Sequence, residues 1–222
     1  MIKILETLAF FVSAAAFGVG VLTLLKKDTP RFFKLYVCAA GCYILEELWV
    51  IVNALLGSGA QDGLVTVRLF GFFGCLCFML SANANEFDRI VDEGKNKKEA
   101  LMALAAPVVL IALYAAYVVF QANTHTLSTS IIGFLSIATA LPAAYYSLKH
   151  LLLPEDAMGF LRCTRGIDIV SLAFYAANYL YPLLNLFCPE LVMSVYDVVI
   201  ALLLSVIVLM CGKGAKKWKT RI

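Results

Sequence analysis

Charged residues are scarce in this sequence and occur only in short segments. They make up 15% of the 222 residues, while 62% are hydrophobic; soluble domains carry about 25% charged residues. No polar stretch between the apolar blocks is long enough to fold as a second domain, so a soluble globular protein is excluded. The net charge of +3 does not indicate nucleic-acid binding, because the basic residues lie in short loops and near the C-terminus.

Sequence motifs for metal binding and catalysis are also missing. The seven cysteines include no CxxC pair, and Cys38 and Cys42, one helical turn apart, are typical of small apolar packing residues. No HExxH, GxSxG or phosphate-binding glycine loop occurs. His125 falls in a predicted outer turn and His150 at a predicted cytoplasmic edge. We therefore expect no enzymatic activity, no bound metal and no cofactor.

Unbroken apolar blocks predict seven transmembrane helices. About twenty residues are needed to cross roughly 30 Å of hydrocarbon at a rise of 1.5 Å per residue. The blocks lie near residues 4–25, 35–57, 64–82, 100–120, 127–148, 166–187 and 190–211. We expect one all-α transmembrane domain over residues 1–222, with a short basic tail over 212–222. A cleaved signal peptide is disfavoured, because the first block continues to Leu25 and ends in Lys26 and Lys27.

Lysine and arginine are distributed asymmetrically between the two sides of the predicted bundle. Of the 18 such residues, all but Lys3 and Arg68 lie in the first, third and fifth loops or after the last span. Short loops rich in these residues stay on the cytoplasmic side of a membrane. We therefore predict a multi-pass protein of the cell membrane, with its N-terminus outside and its C-terminus in the cytoplasm.

The first three and the last three spans are predicted to be copies of one another. The pairs that match after a shift of 128 residues include Leu24 with Leu152, Asp28 with Asp156, Phe32 with Phe160, Lys34 with Arg162, Asp62 with Glu190 and Thr66 with Ser194. Matched loop charges and equal span lengths favour a duplication. The fourth helix then returns the chain, so that both halves point the same way.

This three-plus-one-plus-three layout resembles that of the SWEET sugar carriers and of other small seven-helix membrane proteins, including the rhodopsins. The resemblance covers the whole chain and is one of layout; the Pro-Gln pair of the related PQ-loop carriers is absent. It implies a solute site between the two halves near the membrane midplane. Retinal binding is excluded, because the last span contains no lysine to form the Schiff base.

Two glutamates lie near the centre of the second predicted span, where an ionised side chain costs about 2.5–3.5 kcal/mol on insertion scales. Glu46 and Glu47 point about 100° apart around a helix. Glu46 shares its face with Cys42, Trp49 and Asn53, which favours Glu46 for the bundle interior. There it can exchange protons or bind a cation, or alternatively bond neighbouring helices together.

A polar stripe runs along the sixth predicted span. Its members recur at alternating intervals of three and four residues, the period of one helix face; they are Asp168, Ser171, Tyr175, Asn178, Pro182 and Asn185. Exposure of such a stripe to lipid would leave its donors and acceptors unsatisfied. We expect it to line a cavity or to bond neighbouring helices. Pro182 also removes one backbone hydrogen bond in the outer half of the helix.

Arg68 and Asp197 occupy adjacent equivalent positions of the two predicted repeats, a few residues from the outer ends of their spans. An ion pair between them would lock the bundle or contact a ligand, and Arg68 could instead extend to the surface. The predicted ligand-binding residues are Glu46, Asn53, Arg68, Asp168, Tyr175, Asn178 and Asp197.

Three functions are compatible with these features. A transporter of a small polar solute or cation is favoured by the duplicated halves, the central carboxyls and the polar stripe. A membrane sensor or accessory subunit would need a separate protein partner, because the basic segment 212–222 is too short for an output domain. An intramembrane enzyme has no motif behind it. The expected partners are the lipid bilayer, a small polar solute or cation, and a protein partner or a second copy of the chain.

Overall fold

Long apolar helices dominate the structure. The computed structural model describes residues 2–56, 61–87, 96–120, 127–154 and 160–219, and within these ranges all regular secondary structure is helical. The seven long helices are α1 (Ile2–Leu24), α2 (Arg31–Leu56), α3 (Gln61–Ser81), α4 (Ala105–Phe120), α5 (Leu127–Leu152), α6 (Phe160–Phe187) and α7 (Glu190–Lys219). A short helix, Lys97–Met102, leads into α4. The prediction of an all-α protein is confirmed.

Four helical segments are long and apolar enough to cross a membrane, among the residues that the structure describes. They are Thr7–Leu24, Lys97–Phe120, Cys163–Phe187 and Glu190–Trp218, and a shorter apolar segment covers Gly71–Ala84. Large hydrophobic side chains such as Leu22, Val119 and Phe187 are exposed on the outside of the bundle. Burial in lipid removes such surface from water, so association with a membrane follows from these helices.

The helix ends differ from the predicted spans at two places. After α3 the chain does not leave the helix but continues as a wider π-helical segment, Ala82–Phe87. The last helix continues to Lys219, so residues 212–219, which we expected in a tail, are helical. One face of this extension is packed against the bundle: an added Cβ at Gly214 would lie 2.8 Å from both the Cys163 carbonyl oxygen and Phe33.

Six helices surround the core in a closed order. Going round, α1 packs on α2, α2 on α3, α3 on α5, α5 on α6, α6 on α7, and α7 back on α1. Helix α4 lies outside this ring, against α5 and α6, and α2 also reaches α7. The α7–α1 contact includes a hydrogen bond, in which the Ser205 hydroxyl donates to the Val12 carbonyl at 3.3 Å.

The tightest approach between neighbouring helices joins α2 and α3. A Cβ atom on Gly71 would lie against the side chain of Glu46 and 3.0 Å from the Cys42 carbonyl oxygen. A Cβ atom on Gly74, one turn further, would lie 3.2 Å from the Cys42 sulfur. Small residues that allow backbones to approach are the usual basis of helix packing in membranes.

Candidate functional site

A buried polar cluster lies inside the ring of helices. Its seven members are at most 1% exposed. They are Tyr36 on α2, Asn83 on the π-helical segment, Ser147 and His150 on α5, and Asp168, Ser171 and Tyr175 on α6. Burial of a polar group costs free energy unless the group is hydrogen-bonded or charge-paired. The partners of each member therefore indicate whether the polar cluster only stabilises the fold or can also bind a ligand.

One side of the polar cluster is a chain of hydrogen bonds across three helical elements. The Tyr36 hydroxyl donates to Asn83 Oδ1 at 3.1 Å, and Asn83 Nδ2 donates to the Ser147 hydroxyl at 3.0 Å. The π-helical segment presents Asn83 to both neighbours at once; such wide turns often occur at functional sites. This chain connects α2, the end of α3 and α5.

The other side of the polar cluster is a histidine–aspartate pair. His150 Nδ1 lies 3.8 Å from Asp168 Oδ1, and both side chains are 0% exposed. This distance is too long for a hydrogen bond but short enough for an ion pair when the imidazole is protonated. Ser147 is the second polar side chain that interacts with the Asp168 carboxyl. The pair sits where the end of α5 meets the first third of α6.

Asp168 and two hydroxyls of α6 have unused hydrogen-bonding capacity. Within the described ranges, neither Asp168 oxygen accepts a hydrogen bond within 3.5 Å, and the Ser171 and Tyr175 hydroxyls also make none. Ser147 and Ser171 nevertheless lie beside Tyr175, and Asp168 acts on Tyr175 electrostatically. Most buried polar atoms in proteins have a partner, so this part of the polar cluster is suited to receive one.

Glu46 lies apart from the polar cluster, in the contact between α2 and α3. It is buried, and its side chain lies against Gly71 and within electrostatic range of Cys75. Glu47, which we expected on the less favourable face, is buried to the same extent. Burial therefore does not distinguish the two glutamates, because α2 has helices on more than one side: α1, α3 and α7 all pack against it.

Asp197 and Asn178 are not members of the polar cluster. Asp197 accepts a hydrogen bond from the Tyr181 hydroxyl at 3.5 Å, and Asn178 donates to the carbonyl of Phe174 in its own helix at 2.9 Å. The side chains of Asn53 and Arg68 lie outside the described residues, so the predicted Arg68–Asp197 pair stays a prediction. Of the seven predicted residues, the structure brings Asp168 and Tyr175 together in the polar cluster.

Four members of the polar cluster were missed by sequence reasoning: Tyr36, Asn83, Ser147 and His150. His150 was assigned to the cytoplasmic edge, two residues before the end of α5, and Asn83 fell just beyond the predicted third span. Tyr36 is one of ten tyrosines and carries no distinguishing pattern. The sequence offers no clear signal for His150, because residues 149–165 separate the predicted fifth and sixth spans and the helix ends need not lie close together.

In the part of the chain that the structure describes, no group of three or more His, Cys, Asp or Glu side chains comes together. None of the seven cysteines forms a disulfide bond in the structure.

Comparison with known proteins adds no assignment: no protein-family model, no curated protein and no solved structure matches this chain.

Proposed function

We propose that this chain is a multi-pass carrier of the cell membrane that moves a small polar solute or cation through the polar cluster. The observation that carries the proposal is Asp168: a fully buried carboxyl that accepts no hydrogen bond from the described residues and has His150 at 3.8 Å. Acidic residues within membrane-spanning helices are rare, and they mark substrate and ion pathways. Ser171 and Tyr175 add two buried hydroxyls that can bind the same solute.

The position of the polar cluster between the two predicted halves supports this function. Tyr36 and Asn83 come from the first half, and the remaining members come from the second half. In carriers with repeated halves, the solute site lies at the interface of the repeats. Tyr175 is 15 residues into the 28-residue helix α6, so the polar cluster extends to about the middle of the bilayer by a rise of 1.5 Å per residue.

Helix packing supports the proposed repeat. If α1, α2 and α3 are exchanged with α5, α6 and α7, the α1–α2 contact becomes α5–α6, α2–α3 becomes α6–α7, and α1–α7 becomes α5–α3; all six contacts are present. The helices α1 and α5 end at Leu24 and Leu152, positions that the 128-residue shift superposes. The proposed topology places the N-terminus outside and the basic end of α7 at the cytoplasmic surface, where lysines attract anionic headgroups.

Ligand-induced stabilisation of the purified protein tests the binding part of this proposal. The protein in nanodiscs is heated in the presence of a library of small polar solutes and inorganic cations. A ligand at 100 times its dissociation constant raises the free energy of unfolding by about 2.7 kcal/mol. We expect at least one compound to do so with wild type, and neither Asp168→Asn nor Tyr175→Phe to respond.

Asp28→Asn is the matched control, because Asp28 is exposed in the turn between α1 and α2; it should respond as wild type does. A library without any stabilising compound, combined with strong destabilisation by Asp168→Asn, would contradict the carrier function. The polar cluster would then serve only to hold neighbouring helices together, and a sensor or accessory role through a protein partner would be the better interpretation.

A further inference from the structure

The charge balance of the polar cluster bears on what it can exchange, given the carrier function proposed above. His150 and Asp168 are both 0% exposed and 3.8 Å apart. A net charge in a buried, low-dielectric environment is strongly disfavoured unless it is compensated. A carboxylate beside a neutral imidazole carries one negative charge in total. The pair becomes electrically neutral when it binds one proton, whichever of the two groups carries that proton.

Among the described side chains, the other titratable groups around this pair do not supply a second compensating charge. From α2, α3 and α7 the neighbours are the neutral Tyr36, Cys75 and Cys211. On α4, Tyr114 contacts Tyr179, three turns along α6 from Asp168. The two basic neighbours in sequence are engaged elsewhere: the Arg165 guanidinium donates to the Leu153 carbonyl at 3.2 Å, and Lys149 lies over the Tyr146 ring at 5.7 Å. His150 is the basic side chain that interacts with Asp168, and it carries a positive charge when it is protonated.

We infer that the His150–Asp168 pair is an exchange site at which one monovalent cation replaces one proton. A cation that binds the Asp168 carboxylate while the pair still holds its proton would leave a net positive charge in the core. The bond that holds this proton, N–H on His150 or O–H on Asp168, therefore breaks; its electron pair stays on the nitrogen or oxygen, and the proton leaves to water. The reverse step returns the proton when the cation departs, so charge is conserved and no redox partner is needed.

The oxygen atoms of and around Asp168 suit either a hard inorganic cation or a small organic cation. Carboxylate and hydroxyl oxygens are the donors that such ions prefer, and Ser171 and Tyr175 place two hydroxyls without a hydrogen bond in the same buried cluster. A cation bound there would satisfy the atoms that the described residues leave without partners. The location also gives the proton a short exit, because His150 lies two residues before the end of α5.

Proton movement in reconstituted liposomes tests the inference. The purified protein is inserted into liposomes that contain a pH-sensitive dye, and chloride salts of lithium, sodium, potassium or tetramethylammonium are added outside. Wild type should alkalinise the interior with at least one of these cations. Asp168→Asn and His150→Gln should each abolish the response, and Asp168→Glu, which keeps the carboxylate, should retain part of it.

Two substitutions of the same chemical kind serve as controls. His125→Gln replaces the other histidine of the chain, and Asp28→Asn replaces an exposed aspartate; both should alkalinise the interior at the wild-type rate. Folding of every variant is checked by its elution as a monodisperse species in detergent.

The inference is overturned if no cation produces alkalinisation, or if folded Asp168→Asn or His150→Gln responds as wild type does. Its failure is distinguishable from failure of the carrier function. Transport of an uncharged solute without any pH change would support the carrier function and contradict the cation–proton exchange. Absence of both ligand binding and flux would contradict the carrier function and the exchange together.

Discussion

Asn83 holds the polar cluster together through both ends of its side-chain amide. Its oxygen accepts from Tyr36 and its nitrogen donates to Ser147, and all three residues are buried. A buried amide whose two groups are both paired fixes the relative positions of the helices that hold its partners. The remaining members around Asp168 are less constrained, since Ser171 and Tyr175 make no hydrogen bond within the described ranges. The polar cluster therefore combines a side held by hydrogen bonds with a side whose polar atoms have no hydrogen bond within the described ranges.

Removal of the Tyr36 hydroxyl should destabilise the fold. Tyr36→Phe leaves Asn83 Oδ1 without its donor, and we expect the free energy of unfolding to fall by about 1 kcal/mol. Tyr145→Phe is the matched control, because Tyr145 is only half-buried and its ring packs on Tyr146. The measurement is reversible unfolding in mixed micelles. Equal effects of the two substitutions would show that the Tyr36–Asn83 hydrogen bond is not structurally important.

Single residues of the polar cluster differ in how far the sequence reveals them. Asp168 and Tyr175 were predictable, because polar residues at intervals of three and four stand out in an apolar helix. His150 and Asn83 lie close to the ends of their helices, where polar residues are ordinary. Their burial depends on which helices meet there, and helical periodicity contains no information about neighbours.

At the scale of helices, the close α2–α3 contact depends on two glycines, which have no side chain to separate the helices. Gly71 and Gly74 face Cys42 and Glu46 at distances that leave no room for a methyl group without movement. The sequence predicted both helices but not this contact, because a glycine in a membrane span has several explanations. The helix ends were predicted less well than the helix centres: the π-helical segment and the extension of α7 depend on packing, as the contacts of Gly214 illustrate.

A methyl group at the α2–α3 contact should weaken the bundle. Gly71→Ala forces Glu46 or the Cys42 carbonyl to move, and overpacking of this kind costs about 1–3 kcal/mol. Gly18→Ala is the control, since nothing lies within 4 Å of a Cβ at that position; it should be neutral or slightly stabilising. Thermal unfolding of both variants in the same detergent measures the difference. A neutral Gly71→Ala would contradict the close contact.

At the scale of the whole molecule, the ring of six helices with α4 outside it unites the separate observations. The polar cluster lies where elements of both predicted halves meet, and the exposed apolar side chains lie on the outside. Four described segments are long and apolar enough to span a membrane, and the sequence pattern extends this to a proposed seven. In carriers with repeated halves the solute site lies where the halves meet, which is where the polar cluster lies relative to the predicted halves.

Solute flux is the measurement that tests the central claim most directly. Wild type, Asp168→Asn and Asp28→Asn are reconstituted into liposomes at equal density, and uptake of each stabilising solute or cation is followed. A lost hydrogen bond to a charged group is worth about 1.5–3 kcal/mol, so Asp168→Asn should slow uptake about tenfold or more, while Asp28→Asn should match wild type. Uptake by folded Asp168→Asn at the wild-type rate, or no uptake by wild type of any compound that binds, would contradict the account.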